Sequence, residues 1–139
     1  MDKQGQSPNR AVDSFARECV IKAFSNCLFE MHRDIGQYFD DPKSSNLNSV
    51  FVGKTEKERM EILGALAAER MLAGLFANVD LNPHFEIKVE GEEGDWYDLA
   101  DAYEIPLICA FDEDGWIAVL SNYPSYMNIV EHPNRDQSE

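Results

Sequence analysis

Between residues 12 and 39, apolar side chains recur at Val12, Phe15, Ala16, Cys19, Val20, Ala23, Phe24, Cys27, Leu28, Met31, Ile35, Tyr38 and Phe39. Every step is one, three or four residues, the mark of a helical stripe. The pattern predicts a helix over about residues 8–38, with Ser7 as its capping hydroxyl, Pro8 at its first position and Gly36 ending or bending it. A helix of about 30 residues spans about 45 Å, longer than a compact domain of this size is wide. Part of the stripe is therefore expected to need a second chain. That predicts a homodimer in which Phe15, Cys19, Phe24 and Leu28 make contact.

A second helix is written after the loop "DDPKSSNLNSVFVGK", whose "VFV" suggests a short strand packed inward. "TEKE" is a capping box, with Thr55 as N-cap and Glu58 reaching back. The centre of this helix carries small residues, Gly64, Ala65, Ala67, Ala68, Ala73 and Gly74. Two glycines inside a helix cost about 1 kcal/mol each, a cost offset where another backbone approaches. The helix is expected to be central, with Gly64 facing a close neighbour.

After residue 84 the period changes. "FEIKVE" alternates apolar and charged residues, as a strand with one wet face does. "DWYDLADAYE" places Trp96, Leu99, Ala100 and Tyr103 on one helical face, with Asp95 as N-cap. "PLICAF" and "WIAVLS" read as two strands joined at "DEDG". The sequence therefore predicts an α+β fold. Two N-terminal helices, the first one long, pack on an antiparallel sheet of at least three strands, with a short amphipathic helix before the last hairpin. Residues 8–130 form a single domain, with disordered tails at 1–7 and 131–139.

Charge separates the two halves of the chain. Residues 1–80 hold 10 Lys and Arg against 12 Asp and Glu, whereas residues 81–139 hold 2 against 14, most of the net −14. Such a field disfavours direct contact with nucleic acid or an anionic membrane and favours a basic protein partner. The candidate partner-binding carboxylates are Glu90, Glu92, Glu93, Asp98, Asp101, Glu104, Asp112, Glu113 and Asp114. Asp101 and Glu104 are expected near the C-terminal end of their helix, where anions are unfavourable, so local stability does not explain them.

Catalytic and metal motifs are absent. "DEDG" lacks the spacing of a calcium loop, and Glu92, Asp95, Asp112 and Asp114 would serve a divalent ion only by converging in space. His32, His84 and His132 stand apart, and no Cys-x-x-Cys occurs among Cys19, Cys27 and Cys109. No cofactor or metal is expected, and a non-enzymatic role is preferred. With no apolar leader, a cytoplasmic location is expected.

In size and acidity the chain resembles small bacterial secretion chaperones, immunity proteins and nucleic-acid mimics. That resemblance implies an acidic face masking a basic surface on a protein partner. Two other classes compete. One is a small enzyme or ligand-binding domain with a pocket lined by Trp96, Tyr97, Tyr103, Cys109 and Trp116. The other is a homo-oligomeric structural protein.

Overall fold

The computed structural model describes residues 3–82, 84–103 and 115–131. Helix α1 (Lys3–Glu18) runs through a π-helical segment (Cys19–Ser25) into α2 (Asn26–Asp40). A 3₁₀ turn (Pro42–Ser44) and the short α3 (Asn48–Phe51) lead to α4 (Glu56–Leu81). Strands β1 (Lys88–Glu90) and β2 (Trp96–Asp98) form a hairpin that passes directly into α5 (Leu99–Tyr103). Helices α6 (Trp116–Leu120) and α7 (Met127–Glu131) follow.

The first helical rod continues past Gly36, whose missing side chain faces open space, to Asp40. Its π segment has a sequence cause. Cys19, Ala23, Cys27, Met31 and Ile35 are spaced by fours, and a regular α-helix of 3.6 residues per turn would rotate such a row steadily off its partner. A wider turn restores the phase. This row is buried or half-buried, whereas the neighbouring row of Val20, Phe24 and Leu28 stays exposed.

Helix α4 packs along the π segment and α2. Its capping box forms as the spacing requires: Thr55 Oγ1 accepts from the Glu58 amide at 3.1 Å, and the Glu58 carboxylate accepts from the Thr55 amide at 3.0 Å. The close approach falls at Gly74, where a Cβ would lie 3.1 Å from the Cα of Ala23. Gly64, expected to fill that role, is exposed with nothing within 4 Å. Among the described residues α4 is the one helix long and apolar enough to cross a membrane. Yet it carries the buried pair Glu69 and Arg70 at its middle, and other elements supply their partners.

The main core joins Cys27 and Met31 of α2, Leu47, Val50 and Phe51 around α3, Ile62 and Leu66 of α4, and Val130 of α7. Leu47, Leu66 and Val130 are the largest apolar side chains fully out of water, each contributing about 1.5–3 kcal/mol. Ser45 donates to the carbonyl of Asp34 at 3.1 Å and accepts from the Leu47 amide at 3.2 Å, which fixes the turn into α3.

The expected fold class is corrected. The architecture is mostly helical, and among the described residues the sheet has two antiparallel strands rather than three or more. "FEIKVE" pairs over three residues, Lys88–Glu90. Its partner strand begins at Trp96, so Trp96 is not part of a helix; the hairpin turn is Gly91–Asp95, with Gly94 at φ 87°. "WIAVLS" forms helix α6, and "VFV" helix α3 in place of a strand. Periodicity alone cannot assign such short apolar runs, and packing against α4 decides them. Trp116 meets Phe76 of α4 edge-to-face, with ring centres 5.7 Å apart. The strand expected over "PLICAF" and the turn "DEDG" fall on or run into residues 104–114, outside the described residues.

Candidate functional site

The acidic hairpin is built on the register Lys88↔Asp98, Val89↔Tyr97 and Glu90↔Trp96. Strand residues alternate faces, so Glu90 and Trp96 share one face with Lys88 and Asp98, while Val89 and Tyr97 share the other. Both faces are open: Trp96 is 64%, Tyr97 49% and Val89 40% exposed. A Cβ on Gly91 would fall 2.8 Å from Cε2 of Tyr97, so the ring lies over the turn and would have to shift to admit a larger residue there.

Glu90, Glu92, Glu93 and Asp95 are exposed around the turn. Lys88 is the one lysine or arginine in residues 81–131, and it pairs with Glu86 at 3.5 Å. The carboxylates at the turn therefore have Lys88 as their nearest cation in the sequence, and no ion pair of the described residues includes them. Asp98 is committed elsewhere: Oδ1 accepts from the amides of Ala100 at 3.0 Å and Asp101 at 3.3 Å, capping α5. Asp98, not Asp95, is thus the cap, and Asp101 sits in the first turn, where a negative charge meets the positive end of the helix dipole. The expected placement of Asp101 at the unfavourable end is corrected. Glu104, Cys109, Asp112, Glu113 and Asp114 lie outside the described residues. Tyr103 closes α5.

Trp116 packs with Ala73 and Phe76, while Trp96 and Tyr97 project from the hairpin. Of the expected dimer contacts, Phe15 meets Phe85 edge-to-face at 5.1 Å, Cys19 is half-buried, and Phe24 and Leu28 are exposed.

A buried polar cluster was not anticipated from the sequence. Nη2 of Arg70 donates to Asp34 at 2.6 Å and to Glu131 at 2.9 Å, and Nε lies 3.3 Å from Glu30, off hydrogen-bond geometry. Burial works against the Arg70 charge, but bonds to Asp34 and Glu131 outweigh it and hold the group above its ordinary value. The neighbouring Glu69 accepts from Ser125 Oγ at 2.9 Å and from the amides of Tyr126 at 2.8 Å and Met127 at 3.1 Å, at the N-terminus of α7. Two adjacent residues of α4 thereby hold both ends of α7. The available signal was "AAERML", a charged pair inside an apolar helix centre. Burial also pushes the Cys27 thiol up, and its Sγ donates to the carbonyl of Ala67 at 3.3 Å.

Beside this cluster a cleft of about 420 Å³ runs between α2 and α4, lined in part by Ala23, Glu30, Ala77, Asn78 and Glu131. A second groove, about 320 Å³, lies between α2, α3 and the start of α4. Neither is lined by Trp96, Tyr97 or Trp116. Among the described residues, no group of three His, Cys, Asp or Glu side chains is placed to hold a metal ion.

The chain matches no protein-family model, and comparison with curated proteins and with solved structures gives no match.

Proposed function

We propose that the protein is a non-enzymatic binding protein whose acidic hairpin masks a basic surface on a protein partner, as an inhibitor, immunity protein or chaperone does. The observation that carries this reading is the exposed pair Trp96 and Tyr97 amid the unpaired carboxylates of the turn. Aromatic side chains dominate interface energetics, while charges of one sign set association rate and choice of partner. A two-stranded hairpin with both faces wet is marginal alone, and a partner covering one face would stabilise it.

The test is capture by the immobilised chain from a lysate of the source cells, at low and high salt. A basic protein retained by the native chain should be eluted by salt. It should be lost with Trp96→Ala/Tyr97→Ala and with Glu90, Glu92 and Glu93 exchanged for glutamine. Equal retention by all three chains removes the hairpin from recognition.

A homodimer is the second reading, favoured by the exposed row Val20, Phe24 and Leu28 on the helical rod. Sedimentation at tens of micromolar decides it: Phe24→Glu/Leu28→Glu should convert a dimer to a monomer, and a monomeric native chain ends the reading.

A further inference from the structure

Among the described residues, Arg59 is the half-buried cation that takes part in no ion pair. The ion pairs of the described residues engage Arg17, Lys22, Arg33, Lys57, Arg70 and Lys88, and none includes Arg59. This holds in a chain where acidic residues outnumber Lys and Arg by 26 to 12. The Arg59 guanidinium lies over the rings of Tyr38 and Phe51, 5.9 and 5.7 Å from their centres. Nη1 donates to the Tyr38 hydroxyl at 3.0 Å. Nε is buried and has no acceptor. A buried donor left open is uncommon and calls for a partner, and arginine presents its donors in a fork that fits a carboxylate.

The same arginine lines the groove of about 320 Å³, whose other walls include Ile35, Phe39, Leu47, Met60 and Leu63. Phe39 and Met60 are 80% and 59% exposed, so the groove opens between apolar lips. The volume is at the small end for ligand sites, and apolar walls with one placed polar group are the usual composition of such sites. Glu56 also lines the groove, but it is exposed at the rim, where water and salt screen its charge far more than that of a half-buried guanidinium.

From this arrangement we infer that the groove between α2, α3 and α4 binds a small amphiphilic monocarboxylate. Its carboxylate meets Arg59, and its hydrocarbon part lies along Ile35, Phe39, Met60 and Leu63. The site is separate from the acidic hairpin and stands or falls independently of it.

The experiment compares octanoate, octanol and octylamine by titration calorimetry on the full chain, with the Tyr38 and Phe51 ring signals followed by NMR. A charge-assisted bond to arginine is worth on the order of tenfold in affinity, so octanoate should bind about tenfold tighter than octanol, and octylamine more weakly than either. Binding of octanoate should move the Tyr38 and Phe51 signals. Arg59→Met keeps the aliphatic stem and should bring octanoate to parity with octanol, while Glu56→Gln should tighten octanoate. Octanol binding as tightly as octanoate to the native chain, octanoate binding that leaves the Tyr38 and Phe51 signals in place, or no binding of any of the three overturns the inference. The native-chain comparison decides the matter even if Arg59→Met does not fold.

Discussion

The guanidinium of Arg70 donates to the carboxylate of Asp34 across 2.6 Å, and each side chain is at most 3% exposed. This bond ties α2 to α4 through the middle of the molecule. Removing one partner leaves the other buried and unmatched, so Asp34→Ala should cost about 3–5 kcal/mol in urea unfolding. Replacing both, as Asp34→Leu/Arg70→Met, should recover much of that loss, because a packed apolar pair avoids the desolvation of two ions. A double variant no more stable than Asp34→Ala would show that Arg70 acts chiefly through Glu30 and Glu131.

The two glycines of α4 are expected to respond in opposite directions. Gly64 faces open space, so Gly64→Ala should raise stability by about 1 kcal/mol through helix propensity alone. Gly74 abuts the backbone of Ala23, so Gly74→Val should overpack that crossing and cost about 1–3 kcal/mol. Melting temperatures of the two variants provide the check, and a gain at Gly74 would mean that the helices can separate there.

The capping box gives the protein an acid-sensitive helix start. Bonds from the Thr55 amide and hydroxyl hold the Glu58 carboxyl below its usual range. A carboxyl depressed in the folded state contributes its stability above the ordinary carboxylate range and loses it as the pH falls through the lowered value. Glu58→Ala should therefore lower the melting temperature at neutral pH, with a gap to the native chain that narrows on acidification. Thr55→Ala should cost about 1 kcal/mol at neutral pH. A gap independent of pH would assign the loss at Glu58 to something other than its charge.

At α5 the prediction concerns two aspartates. Asp98→Ala removes the cap and should cost about 1 kcal/mol, read locally as faster amide exchange over residues 99–103. Asp101→Asn should also destabilise, by a few tenths of a kcal/mol, because the charge lies at the favourable end of the dipole. A gain in stability at Asp101 would contradict the helix start at Leu99.

Cys27 and Cys19 should differ toward a thiol reagent. Cys27 is buried and its thiol is pushed up by burial, whereas Cys19 is half-buried. In the native protein Cys27 should label slowly, becoming as fast as Cys19 only in denaturant, as mass spectrometry of the labelled peptides would report. Rapid native labelling of Cys27 would indicate frequent opening of the contact between α2 and α4.

The helical half was legible because its signals are local and redundant. A stripe over many turns, a capping box and a run of small residues all point the same way. The exchange of Gly64 for Gly74 as the contact point was not legible, since Gly74 meets Ala23 through a contact distant in sequence. The short apolar runs failed for a different reason. "WIAVLS" and "VFV" are too short for period to distinguish strand from helix, and Phe76 and the α3–α7 packing settle them through contacts distant in sequence. At the candidate site the carboxylates and aromatics were visible as residue types. Their register was not, because a turn at Gly91–Asp95 moves the helix start three residues and reverses the meaning of Asp101. The Arg59 groove depends on three elements converging, which no local pattern records.

Helix α7 places Val130 at the centre of the core and gives Glu69 and Arg70 their last partners. On a ribosome that stretch is made long after α4, so the growing chain must carry a buried-to-be glutamate and an open apolar seam until residues 125–131 emerge. A nascent chain halted before then displays both, and factors that read exposed apolar surface can distinguish it from a chain in which α7 has docked. Burial of that seam thus waits on the arrival of α7.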